Sequence, residues 1–91
     1  MTQEQFLKML AADGFPEPVL VDREADGFLE SHTHPFEVKA LVISGRIDLI
    51  IDGAELAYSA GDVFHLLANQ EHAERYGEKG VQYLASRNQN S

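Results

Sequence analysis

The spacing of apolar positions changes once along this chain, near residue 19. Before that point, Phe6, Leu7, Met9 and Leu10 recur at helical spacing. Thr2, followed three residues later by Gln5, fits a capping box. Gly14 ends the pattern, and Pro16 and Pro18 forbid its continuation. Residues 1–18 therefore read as a short helix and a linker, packed on the outside of the main body.

From Val19 onward the period is that of strands. Val19 to Val21 is a short apolar run, and Gly27 to His34 is the next candidate strand. Val38 to Ile43 reads as a buried strand stopped by Ser44 and Gly45. Arg46 to Ile51 then runs into Asp52-Gly53, a strong type I′ hairpin signal, with Ala54 to Tyr58 as the return strand. Gly61-Asp62 turns the chain into Val63 to Leu66, and Leu67 to Glu71 is a loop. His72 to Tyr76, a turn over Gly77 to Gly80, and Val81 to Ala85 complete the pattern. Some eight short strands separated by glycine turns predict an all-β sandwich or barrel over residues 19–87, with a polar tail at 88–91. Phe28, Phe36, Phe64 and Tyr83 are its simplest core residues, and Asp22, Glu24, Asp26 and Glu30 read as a solvated edge.

Composition narrows the function classes. Ninety-one residues make one domain. Seven basic residues against fifteen acidic ones give a net charge of -8, which repels phosphate backbones and anionic membrane surfaces. Neither nucleic acid nor a membrane is an expected partner, and no window approaches the length of an uncharged apolar span. The chain has no cysteine, which excludes thiolate chemistry and favours a reducing, cytoplasmic setting. No basic residue precedes the first apolar cluster, so the start does not read as a secretory signal.

The candidate chemistry lies in the histidines. His32 and His34 are two apart, so a strand would project both imidazoles from one face. His72 arrives several strands later, as expected if strands converge on one interior point. Three neutral imidazoles with open positions suit one divalent transition metal: Zn, Fe, Ni or Cu.

These residues carry a resemblance. Gly27-x4-His32-x-His34-x2-Glu37-x7-Gly45 and Gly61-x5-Leu67-x-Asn69-x2-His72-x3-Tyr76 resemble the two signature motifs of single-domain cupins. Leu67, Asn69 and Tyr76 stand where the family pattern has Pro, Gly and Asn. Asn69 tolerates the positive φ that glycine would supply. The resemblance implies a cupin jelly-roll β-barrel with a short N-terminal α-helix, and His32, His34 and His72 as metal ligands. The family's acidic position falls on Val38, one residue after Glu37. By alternation Glu37 faces away from the imidazoles and is a solvated carboxylate, unless a bulge at Pro35 turns it inward as a fourth ligand. Phe36, Val38, His65 and Tyr76 are candidates to line the pocket; each is otherwise an ordinary strand residue.

Three functions are compatible with this pattern. The first is a metal-dependent enzyme, an oxygenase or isomerase of a small organic molecule. The second is a non-catalytic barrel that binds a small molecule or a metal. The third is a barrel that keeps its histidines but works without metal. The resemblance also implies a homodimer, with Phe6 and Leu10 covering the barrel or joining the interface.

Overall fold

A computed structural model describes residues 1–89 as one helix and six strands. Helix α1 spans Gln3–Ala12, and its capping box forms as expected. The Gln5 amide donates to Thr2 Oγ1 at 3.1 Å, and the Thr2 amide donates to Gln5 Oε1 at 3.0 Å. Phe6 and Leu10 are buried against Phe15 and Leu41, whereas Leu7 of the expected stripe is exposed. The helix thus covers an outer face of the body. No helix of the described residues is long and apolar enough to cross a membrane.

The strands are β1 (Val19–Arg23), β2 (Phe28–His32), β3 (Glu37–Ile51), β4 (Ala54–Ser59), β5 (Val63–Leu66) and β6 (His72–Asn88). All pairings are antiparallel. β3 and β6 pair along most of their length and belong to both faces of the barrel. Beyond the crease, the second half of β6 pairs with β1 and the first half of β3 with β5. On the other face, the first half of β6 pairs with β2 and the second half of β3 with β4. The hairpin from β3 to β4 turns through Asp52 (φ 51°) and Gly53 (φ 81°), both left-handed as a type I′ turn requires.

Two expected turns are instead creases within continuous strands. β3 runs through Ser44-Gly45, and β6 runs through Gly77–Gly80. The reason is close backbone approach. Gly45 (φ 79°) and Gly80 (φ 72°) both need left-handed backbone, and a Cβ on Gly45 would strike the Gly80 carbonyl oxygen. The ladder therefore continues while the register slips beside Val42 and beside Gly45. The slip has a further effect. Val38, Ala40 and Val42 face the core before it, and Ile47 and Leu49 after it, so the inward parity changes from even to odd. β6 switches in the same way, from Tyr76 to Val81, Tyr83 and Ala85. The crease lets both halves of each long strand bury their apolar side.

Phe28 is not core. It is 55% exposed and sits opposite Arg75, whose guanidinium lies 6.0 Å from its ring centroid on the outer face. Phe64 and Tyr83 are buried and Phe36 is half-buried, while the four acidic edge residues are exposed. Asn88, expected in the tail, ends β6 opposite Glu37. The last two tail residues, Asn90 and Ser91, lie outside the described residues.

Candidate metal centre

The site begins with an irregularity in β2. Leu29 pairs with Glu74, but His32 pairs with His72, so β2 carries one extra residue between them. Without it, Ser31 would face His72 and His32 would point the other way. The bulge sets the His32 imidazole against that of His72, with ring centroids 4.3 Å apart. β2 ends at His32, so His34 arrives from the following loop rather than from the same strand face. That loop is pinned by Asn69, whose amide donates to the His34 carbonyl at 2.6 Å. Asn69 has φ 62°, the left-handed conformation expected of a residue standing in for glycine. The His34 ring centroid lies 4.8 Å from that of His32 and 5.1 Å from that of His72.

A fourth group completes the cluster. One ligand atom from each of His32, His34, His72 and Glu74 lies within 4.8 Å of the others. Glu74 follows His72 by two residues on β6, so both side chains project from one face. Glu74 Oε2 is 3.4 Å from Nε2 of both His32 and His72. Its other oxygen accepts from the Tyr76 hydroxyl at 3.0 Å. Glu74 stands outside both histidine motifs' ligand positions, although it shares the strand parity of His72 and Tyr76.

Tautomers follow from the carbonyls. His32 Nδ1 is 2.7 Å from the Glu30 carbonyl oxygen, and His72 Nδ1 is 2.9 Å from that of Gln70. A carbonyl only accepts, so each Nδ1 carries a hydrogen, and in the neutral imidazole Nε2 is then the atom with the free lone pair. Both Nε2 atoms are buried and have no hydrogen-bond partner among the described residues. In the neutral state two nitrogen lone pairs and a carboxylate oxygen thus converge, an arrangement that fits a cation.

The surroundings tune these groups. Burial holds the His34 imidazole below its usual pKa, and the neighbouring His32 and His72 act in the same direction. Burial, then the Glu74 carboxylate, pushes the Tyr76 phenol well above its ordinary value, so it remains a donor. Phe36 stacks on His34 with centroids 5.0 Å apart and planes at 13°.

The other sequence candidates divide. Val38 is buried in the barrel core, and Tyr76 reaches the cluster through Glu74. Glu37 lies outside the cluster: its Oε2 contacts Nε2 of His65. Both residues are partly exposed, and His65 pairs with Lys39 on the outer side of β3. Simple alternation governs Glu37. The one-residue shift occurs earlier, in β2, and not at Pro35.

Comparison with known proteins agrees with this architecture. The Cupin domain family matches residues 19–84. No curated protein matches the chain in sequence. Among solved structures, an RmlC-like cupin from Shewanella frigidimarina is similar, with TM-score 0.65 and 18% identity over 77% of this chain and 63% of that one. A protein of unknown function from Rhizobium leguminosarum gives TM-score 0.70 and 16% identity, over 75% of this chain and 64% of that one. A DUF861 family protein from Thermotoga maritima gives 0.71 and 11%, over 96% and 93%. The chain thus spans less than two thirds of the first two of these structures. At such identities the structural likeness concerns the fold alone. The family match runs from β1 into β6 and takes in both histidine motifs, so the chain belongs to the cupin family.

Proposed function

We propose that this chain is a metal-binding small cupin. His32, His34, His72 and Glu74 hold one divalent transition metal, and a small organic molecule is bound or converted there. The observation that carries the reading is the pair of buried, partnerless Nε2 atoms of His32 and His72 facing Glu74 Oε2. The donor set fits: imidazoles suit Zn, Fe, Ni and Cu, and a carboxylate offsets the ion's charge. When bound, such an ion supplies Lewis-acid polarisation of a carbonyl and lowers the pKa of water.

The protein's own groups fix and shield that site. The Glu30 and Gln70 carbonyls hold His32 and His72 in the tautomer that leaves Nε2 free. The Tyr76 hydroxyl occupies one Glu74 oxygen and leaves the other directed at the imidazoles. Phe36 covers one face of His34 and limits water there.

The leading reading is an enzyme that oxygenates or isomerises its substrate. One observation favours the alternative, a non-catalytic binding barrel. Tyr76, the hydroxyl nearest the cluster, is held as a phenol on Glu74 and so acts in positioning rather than proton transfer. The cysteine-free composition supports a cytoplasmic setting. Exposed Val19, Leu20, Phe28 and Leu29 on β1 and β2 support a homodimer.

Element analysis of untagged protein, purified without added metal, tests the centre. Near-stoichiometric transition metal that is lost in His72→Ala is expected; a metal-free protein that binds none on titration refutes it. Iron-, nickel- and zinc-loaded forms are then incubated with a metabolite pool and oxygen. Product that disappears in His34→Ala identifies an enzyme. Ligand bound but unchanged in every form identifies the binding barrel.

A further inference from the structure

Both oxygens of Glu74 are engaged, each by a different kind of group. Oε2 lies 3.4 Å from Nε2 of His32 and of His72. Oε1 accepts from the Tyr76 hydroxyl at 3.0 Å. Glu74 and Tyr76 are both buried, so water competes little for that bond. A hydrogen bond to an ionised carboxylate is roughly twice as strong as one between neutral groups. The phenol therefore leaves Glu74 one free oxygen rather than two.

Tyr76 is itself fixed. It lies in the inner core opposite Ile47 of β3, a residue with no exposed surface. Its amide donates to the Gly27 carbonyl at 2.9 Å. A Cβ on Gly27 would stand 2.8 Å from Tyr76 Cδ2, nearer than carbons pack. Gly27 thus gives the ring the space it occupies, just before β2 carries His32 to the cluster. Tyr76 follows Glu74 by two residues and so shares its face of β6. It stands where the cupin pattern has Asn, whose side chain is shorter than the phenol.

We propose that Tyr76 is a positioning residue that restricts Glu74 to one oxygen and thereby sets the metal preference of the centre. Three imidazoles with one carboxylate oxygen form a nitrogen-rich set of donors, which suits zinc. A second Glu74 oxygen would add a hard donor, and carboxylate oxygens suit manganese. The phenol thus acts against manganese through Glu74 alone. Zinc outranks manganese at nitrogen and oxygen sites generally, so the measure of Tyr76 is the change in their ratio. The proposal rests on the metal-centre reading and adds to it which ion the restrained carboxylate disfavours.

The test measures zinc and manganese affinities of wild type, Tyr76→Phe and Gly27→Ala by chelator competition. Cobalt(II) absorption serves as a second readout, because its visible bands weaken as donors are added. Tyr76→Phe keeps the ring and loses the hydroxyl. Its zinc affinity should fall about tenfold or more, its manganese affinity should hold or rise, and its cobalt bands should weaken relative to wild type. Gly27→Ala displaces the ring and leaves every residue of the cluster in place. It should shift both readouts in the same direction, and it serves if Tyr76→Phe folds poorly. The proposal is overturned if zinc and manganese affinities fall by the same factor. It is equally overturned if their ratio and the cobalt spectrum stay at wild type, as a purely packing role for the ring requires. A wild-type protein that binds none of the three ions defeats the metal centre and this proposal together. Wild-type metal binding that Tyr76→Phe leaves unchanged defeats this proposal alone.

Discussion

His32 and His72 stand directly opposite each other across the β2–β6 ladder, and each Nε2 is 3.4 Å from the same oxygen of Glu74. The register of two strands, and not the loop that carries His34, therefore sets the frame of the site.

That relationship ranks the ligands. His32→Ala and His72→Ala are expected to abolish stoichiometric metal binding. Glu74→Gln should weaken affinity by roughly 10–100-fold, since the amide keeps the shape but not the charge. Glu37→Gln should leave affinity nearly unchanged, because Glu37 contacts His65 outside the cluster. Competition with a chelator measures all four; a larger loss for Glu37→Gln than for Glu74→Gln would reverse the assignment.

The loop anchor at Asn69 gives a separate prediction. Its left-handed backbone and its hydrogen bond to the His34 carbonyl make it the support of that imidazole. Asn69→Gly should be tolerated. Asn69→Val should cost about 1–2 kcal/mol, because a β-branched residue is strained at positive φ. Thermal unfolding and metal affinity should fall together in Asn69→Val, and an unchanged melting temperature would contradict the role.

Acidification should act on the metal-free protein through His34. Its folded-state pKa is lowered by burial and by the neighbouring imidazoles, from a usual value of 6.5. As pH falls through about 6.5, the unfolded chain takes up a proton that folded His34 still refuses. This contribution to stability is therefore present above pH 6.5, declines below it, and levels off beneath the folded pKa. Melting temperatures from pH 8 to pH 5 should show the decline, and His34→Gln should flatten it. Metal-loaded protein should also release its ion on acidification, since a protonated imidazole cannot ligate.

The crease predicts a fold-level effect. Gly45→Ala combines a left-handed backbone penalty with a collision at the Gly80 carbonyl. A loss of roughly 2–4 kcal/mol is expected from these two terms. Gly53→Ala, in the open hairpin turn with nothing near its Cβ, should cost only the smaller backbone part. Denaturant unfolding of the two variants checks the difference, and equal losses would show that the close approach at the crease does not matter.

The amino-acid sequence by itself determined what depends on a residue's own backbone and near neighbours. The Thr2–Gln5 capping box, the Asp52-Gly53 turn and the positive φ of Asn69 were all legible, because each follows from local sterics and hydrogen bonding. The convergence of His32, His34 and His72 was legible through motif spacing. Tertiary structure alone decided the rest. Whether Ser44-Gly45 and Gly77–Gly80 end strands or crease them depends on how β3, β6 and the Arg23 backbone pack together. Which of Ser31 and His32 faces inward depends on one bulged residue measured against β6. Phe28 turned outward for the same kind of reason, whereas Glu37 faces away from the imidazoles, as plain alternation predicts, and meets His65. A strand alternates with period two, so one residue of register, set by a partner distant in the chain, exchanges the inside for the outside.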